Sequence, residues 1–325
     1  MTQNNKFQAT AAIMLCTLII AAAALFVGVT TIGELVSASN NTSIKTFVNV
    51  TNTEPKITSL TISPSPIDLG PGNITTVMCN ATVWDYNGWQ DAIVRNGTLF
   101  YTSGGFNFES PDSNNTHYSN TSCAICQQSD SATNASCYCK FPVQYYADNG
   151  TWTCNLTIGD KGGLLPTETP QNFTDAYSTT VAIAPLVAID LPGIVNFGNL
   201  TVTQTSSLKN VNITNLGNRN INISLYGYGG ENQTDGFNLS MRCPLGNISS
   251  ENERYSFADD AVYSTMSIIN SSPQNTGAFI NRISNVTQAI KNATNSTYWR
   301  LKVPLTVGGF CNGTLVFIAS DSLWN

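Results

Sequence analysis

After residue 55 apolar residues recur at every second position, the period of a strand with one buried face. Between Val77 and Val83 the apolar row is Val77, Cys79, Ala81 and Val83. Between Trp152 and Ile158 it is Trp152, Cys154, Leu156 and Ile158. Between Val211 and Leu225 it is Val211, Ile213, Ile221, Ile223 and Leu225. Gly and Pro punctuate these runs, and Asn87-Gly88, Asn96-Gly97, Asn149-Gly150 and Asn312-Gly313 are read as turns. Leu186 to Leu191 reads as a strand, and Phe279 to Ile290 as a short helix. The pattern predicts an all-β protein of two β-sandwich domains, residues 55–174 and 179–325, behind a polar tether at 39–54.

The start of the chain follows another rule. From Ala9 to Gly33 there is no charge, and Lys6 is the one positive residue of the segment. The run exceeds a secretory h-region and is long enough to span a bilayer as a hydrophobic helix. Val36 and Ala38 suit cleavage after Ala38, so residues 1–38 are read as a signal peptide or as an uncleaved membrane anchor. Both readings place the rest of the chain outside the cell, secreted or anchored. Cys16 lies inside the apolar run, without a good lipobox before it, and reads as a membrane-buried thiol.

Composition sharpens this. Charged residues are 10% of the chain while apolar residues are 42%, so cores can form but the surface is short of charge. The net charge of −6 argues against nucleic acid as a partner. Asn-x-Ser/Thr sequons number twenty-three, none before Asn40. Chance would place roughly eight. The alternation puts Asn80, Asn155, Asn212 and Asn222 on strand faces opposite the apolar rows, where a glycan could stand in water. With Asn312 these are the candidate glycosylation sites.

Beyond the N-terminal segment there are eight cysteines, an even number that suits a disulfide framework in an oxidising compartment. Within 179–325 Cys243 and Cys311 can pair only with each other. Cys123, Cys126, Cys137 and Cys139 form a cluster. Cys137 and Cys139 share one strand face, so each is expected to bond to Cys123 or Cys126. A zinc site made of the four thiolates is the alternative, although the spacing matches no common ribbon. A redox role for Cys123-x-x-Cys126 lacks the following helix that would lower a thiol pKa. No cofactor is expected.

The stretch Tyr146-Ala147-Asp148-Asn149-Gly150-Thr151-Trp152-Thr153-Cys154 resembles the late strands of PKD and immunoglobulin-like domains, with Trp152 in the usual Tyr place. Trp84-Asp85-Tyr86-Asn87-Gly88-Trp89 is similar to the Trp-Asp-aromatic-Gly turn of PKD modules but lacks its second Asp-Gly. The resemblance implies an inter-sheet bond from Cys154 to Cys79. In the second domain, Phe197-Gly198 followed by Asn212-Ile213-Thr214-Asn215-Leu216-Gly217-Asn218 resembles β-sandwich modules of archaeal surface glycoproteins. Such families are envelope, adhesion or filament components, and the resemblance implies no catalysis.

Candidate chemistry is thin. His117 is the sole histidine and reads as a loop residue. A nucleophilic triad would have to use it, and no G-x-S-x-G elbow is present. Asp85 and Asp91 are the nearest pair for glycoside hydrolysis, but Asp-rich sandwich loops are usually turns. Asp85-x-Asn87-Gly88 is half of a calcium loop without the remaining ligands. Trp84, Tyr86 and Trp89 are either a sugar-stacking platform or, for one Trp, packing against the Cys79–Cys154 bridge.

The leading expectation is a non-enzymatic, N-glycosylated structural or adhesive protein of a cell surface. Its expected partners are the membrane, through an uncleaved N-terminus, and other envelope proteins, glycans or further copies. A secreted carbohydrate-binding or carbohydrate-active module is the rival. A third reading comes from Ile44 to Val50 in the tether, where Ile44, Thr46, Val48 and Val50 share one face. The plain account is a glycosylated stalk. If the N-terminus is cleaved, the run is a free strand that can join a neighbour's sheet in a donor-strand filament.

Overall fold

A computed structural model describes residues 43–123, 126–161, 178–284 and 293–322. Residues 1–38, with the expected signal or anchor, lie outside the described residues. Asn52 to Asn325 form one compact unit. It is all-β, as the alternation requires, and holds two facing pairs of sheets.

The first sandwich uses β1 (Lys56–Ser63), β2 (Ile74–Trp84), β3 (Ala92–Tyr101), β4 (His117–Asn120), β5 (Gln127–Gln128), β6 (Asn134–Gln144), β7 (Gly150–Asp160) and β8 (Ser178–Ile183). One sheet has the order β1-β2-β6-β5 and the other β4-β3-β7-β8. All pairs within them are antiparallel. The rows Val77, Cys79, Ala81, Val83 and Trp152, Cys154, Leu156, Ile158 are all buried, one from each sheet. They meet in a core with Phe141, Leu99 and Ile183. Trp152 is fully buried, and its indole N–H donates to the Asp148 carbonyl at 2.7 Å. That bond pins the corner leading into β7.

The second sandwich uses β9 (Ile189–Asp190), β10 (Lys209–Asn215), β11 (Ile221–Gly229), β12 (Leu239–Arg242), β13 (Asn247–Ser249), β14 (Glu253–Ser256), β15 (Ser267–Ile268), β16 (Gln274–Ile280), β17 (Thr294–Leu301) and β18 (Gly313–Asp321). Its sheets are β15-β14-β17-β10-β9 and β16-β11-β18, with β12 and β13 as a separate ribbon. Val211 and Ile213 on β10 face Ile221, Ile223 and Leu225 on β11, so the single apolar run of the sequence crosses from one sheet to the other. Trp299 is fully buried against Tyr255, with ring centroids 5.4 Å apart.

Three local expectations are corrected. Phe279 and Ile280 end strand β16 rather than starting a helix, because they pair with Asn222 and Ile221 of β11. Residues 285–290 of that expected helix lie outside the described residues. Asn96-Gly97 is no turn; it lies within β3 just past a register shift. Of Leu186–Leu191 only Ile189–Asp190 is strand.

The two sandwiches share a joint. Tyr145, Tyr146, Ile283 and Ala293 are buried together there. Arg282 Nη1 donates to Asp148 Oδ1 at 2.5 Å and to the Tyr146 carbonyl at 3.1 Å. Asn115 Nδ2 donates to the Tyr146 and Ile283 carbonyls, both at 3.0 Å. Arg219 reaches Asn149 Oδ1 at 2.8 Å while its Nε holds Asp321 at 2.7 Å.

Candidate functional site

The structure bonds Cys79 to Cys154, Cys123 to Cys139, Cys126 to Cys137 and Cys243 to Cys311. Cys79 on β2 and Cys154 on β7 tie the two sheets of the first sandwich. Cys137 and Cys139 are two apart on β6, so they point the same way and each takes a partner from the 123–126 segment. Every cysteine among the described residues is thus in a disulfide. Gly97 makes room for one of these bonds, since a Cβ there would stand 2.6 Å from Cys139 Sγ. Cys243–Cys311 clips the loops carrying Leu245 and Phe310, both well exposed.

The sequons divide. Asn212 and Asn312 are exposed, and Asn80 and Asn222 half-exposed. Asn155 is 5% exposed, so the expected open position is wrong there. It sits on β7 between β3 and β8, opposite Thr98, and Thr98 and Thr153 on the same outer face are buried too. Alternation separates the faces of a strand but does not say which face is wet. Among the described residues Asn155 is the one sequon asparagine classed as buried.

Two of the candidate polar residues, His117 and Asp85, are buried. His117 begins β4 instead of lying in a loop, is buried, and bonds through Nδ1 to Asp112 Oδ1 at 2.8 Å. Its Nε2 is buried, with no hydrogen-bond partner among the described residues. Burial pushes the Asp112 carboxyl up, but bonds from Ser119 and His117 outweigh it and leave the group below the usual range. Asp85 is 1% exposed. Its Oδ1 accepts the Asn87 N–H at 2.8 Å, which makes the turn. Burial raises its pKa, the Asn87 bond opposes this, and Asp91 and Asp160 add to it. The described residues bring no three His, Cys, Asp or Glu side chains together in a metal-binding group. Trp89 packs against the first core. Trp84 lies 4.0 Å from Tyr86, ring to ring, and Tyr86 is exposed.

An open hollow of about 280 Å³ lies in the second sandwich, lined by Gly229, Gly230, Glu231, Asn232, Asp235, Arg242 and Asn312. None of these lining residues is an aromatic on which a sugar could stack. The sequons Asn232 and Asn312 stand on its rim.

Three features were missed in the sequence. Glu253 is fully buried, and burial pushes its carboxyl up to about 7, with Ser240 drawing it back only in part. Its signal was position: it shares the inner row of β14 with Tyr255. The arginines of the joint carried no periodic signal. The third is the edge beside β18. The inner row of β11 is buried at Ile221, Ile223 and Leu225, but the β18 residues paired with it, Ala319 and Phe317, are only half-buried. Across from them Ile189 and Leu191 are half-buried as well. Both β18 and β9 end their sheets, so among the described residues no strand closes this side of the sandwich.

No family model matches the chain, and no curated protein matches it. Solved structures are similar at low identity, three of them as follows. One is the CsuC-CsuE chaperone–tip adhesion subunit pre-assembly complex from archaic chaperone-usher Csu pili of Acinetobacter baumannii. The match has 11% identity and a TM-score of 0.34, over 80% of this chain and 99% of that one. The second is a chaperone–tip adhesin complex of CFA/I fimbriae biogenesis, with 10% identity and a TM-score of 0.28, over 83% of this chain and 85% of that one. The third is a marsupial T cell receptor, with 13% identity and a TM-score of 0.21, over 82% and 64%. Likeness at these scores carries no argument about activity or partners. The class rests on the chain's own sheets and bonds: an all-β protein of disulfide-clipped sandwiches.

Proposed function

We propose that the chain is an exported, N-glycosylated structural or adhesive component of a cell surface, without catalytic activity. The observation that carries this reading is the pairing of all eight described cysteines in four disulfides, which persist in oxidising compartments. The sequon excess supports it, with glycans supplying the surface hydration that 10% charged residues do not. Intact mass with and without enzymatic deglycosylation, in reduced and unreduced form, tests it. Reduction should add two hydrogens for each of four bonds. Deglycosylation should remove several glycans, and site mapping should find them at Asn212 and Asn312 but not at Asn155. A bare chain, or free thiols among the eight cysteines beyond residue 38, would sink the proposal.

A second reading is a filament subunit joined by strand donation. It is favoured by the tether: Ile44, Phe47, Val48 and Val50 are 74–91% exposed, in a segment with no strand partner among the described residues. Four large apolar side chains in water are a liability in a mature subunit unless something covers them.

A further inference from the structure

We propose that the open side of the second sandwich, between β18 and β9, accepts residues 44–50 of a second copy of this chain as an added strand. The inference rests on the strand-donation reading and gives it an acceptor. Half-buried apolar residues line both walls: Leu315, Phe317 and Ala319 on β18, and Ile189, Leu191 and Val195 opposite. The edge rows of the first sandwich differ. In the first sandwich Ile57, Ile62, Val181 and Ile183 are all buried although they lie on edge strands. Among the described residues, the row on β18 thus lacks the cover that these edge rows have.

The backbone is open there too. Among the described residues, the segment 314–320 of β18 makes strand pairs with β11 alone. An edge of this length with unpaired N–H and C=O groups is a template for another strand. Nothing charged guards it: Thr314, Leu315, Val316, Phe317, Ile318, Ala319 and Ser320 contain no Lys, Arg, Asp or Glu. The entry to the strand is covered by β12, through the bridge of Arg242 to Asn312, which marks one end of the acceptor.

The tether matches this opening. Seven extended residues span about 23 Å and the nine of β18 about 30 Å. The row Ile44, Thr46, Val48 and Val50 would face the half-buried walls. Asn49, a sequon, then falls on the opposite row and its glycan points to water. Main-chain bonding to the edge supplies affinity and the alternate side chains set register, as in strand addition generally.

Three forms of the full-length chain, purified from the same cells, test the inference. They are the wild type, the tether variant Thr46→Pro with Val48→Pro, and the acceptor variant Ala319→Phe. Prolines remove donors from the tether strand without touching either core. The phenyl ring occupies the opening from the acceptor side. Sedimentation velocity and electron microscopy read assembly, and amide hydrogen exchange reads residues 314–320. The expected result is concentration-dependent assembly of the wild type only. Exchange at 314–320 should be slowed at least tenfold in the wild type relative to the tether variant. A wild type that stays monomeric at high concentration overturns both the strand-donation reading and the acceptor. Assembly that survives the prolines does the same. Assembly lost with the prolines, but with equal exchange at 314–320 in the wild type and the tether variant, keeps strand donation and overturns this acceptor. The exchange comparison stands even where Ala319→Phe perturbs folding.

Discussion

Glu253 is the residue most at odds with its surroundings. It shares the inner row of β14 with Tyr255, and among the described residues no cation offsets its burial. Burial pushes its pKa from 4.5 to about 7, so the folded protein holds this proton where the unfolded chain has lost it. Stability from the group is full below pH 4.5 and is lost as pH rises through about 7. The size is on the order of 3 kcal/mol by linkage. Glu253→Gln removes the charge but keeps the shape. Melting by circular dichroism from pH 4 to pH 8 should show the wild type losing stability across that range. The variant should lose the part of that slope that Glu253 supplies, and be more stable at pH 8. Equal pH slopes in the two proteins would show that another group is responsible. A second consequence of burial at this scale is His117, whose closed Nε2 leaves the Asp112 pair a structural clip.

At the scale of elements the disulfides and strands depend on backbone approach. Gly97 lies in β3 against the Cys123–Cys139 bond. A methyl group at 2.6 Å from Cys139 Sγ cannot be relieved by a rotamer, because that sulfur is fixed in a bond. Leu156 Cδ2 stands at 2.9 Å on another side. Gly97→Ala should therefore destabilise the protein by about 1–3 kcal/mol, the usual overpacking range. Equilibrium denaturation of the disulfide-intact protein measures it, and a change under about 0.5 kcal/mol, the range of a neutral surface substitution, would show that the strand yields. The sequence offered Asn96-Gly97 as a turn because the dipeptide is a turn signal, whereas here the glycine answers a tertiary contact. The inner rows of β2, β7, β10 and β11 were legible because the residues alternate strictly. Their partners were not: nothing local says that Ile213 and Ile221 face each other from different sheets. Phe279 to Ile290 carried spacing compatible with a helix, and pairing to β11 overrode it at Phe279 and Ile280. The open side beside β18 was illegible for a related reason. A half-covered apolar row reads in sequence like a covered one.

For the whole molecule the question is whether two sandwiches behave as one. Both lie within a single compact unit, Asn52 to Asn325. The joint between them is mixed: a small apolar cluster of Tyr145, Tyr146, Ile283 and Ala293, and two arginines with specific acceptors. Arg282 and Asp148 are mostly shielded, with side chains 23% and 19% exposed. Removing Arg282 leaves the Asp148 carboxylate short of its cation and the Tyr146 carbonyl short of a donor. Removing Arg219 unlinks Asn149 from Asp321. Hydrogen bonds to charged groups contribute roughly 2 kcal/mol each. Neither arginine enters a core, so both sandwiches should still fold. Calorimetry of the wild type should then give one transition, with the joint coupling its halves. The double variant Arg282→Ala with Arg219→Ala should give two resolved transitions, each with its disulfides intact. Asp148→Asn should give an intermediate profile, since the carbonyl contact of Arg282 survives it. One undivided transition in the double variant would place the coupling in the apolar cluster and the Asn115–Ile283 bond instead. In that case Ile283→Ser, which leaves both arginines in place, should be the change that separates the two halves.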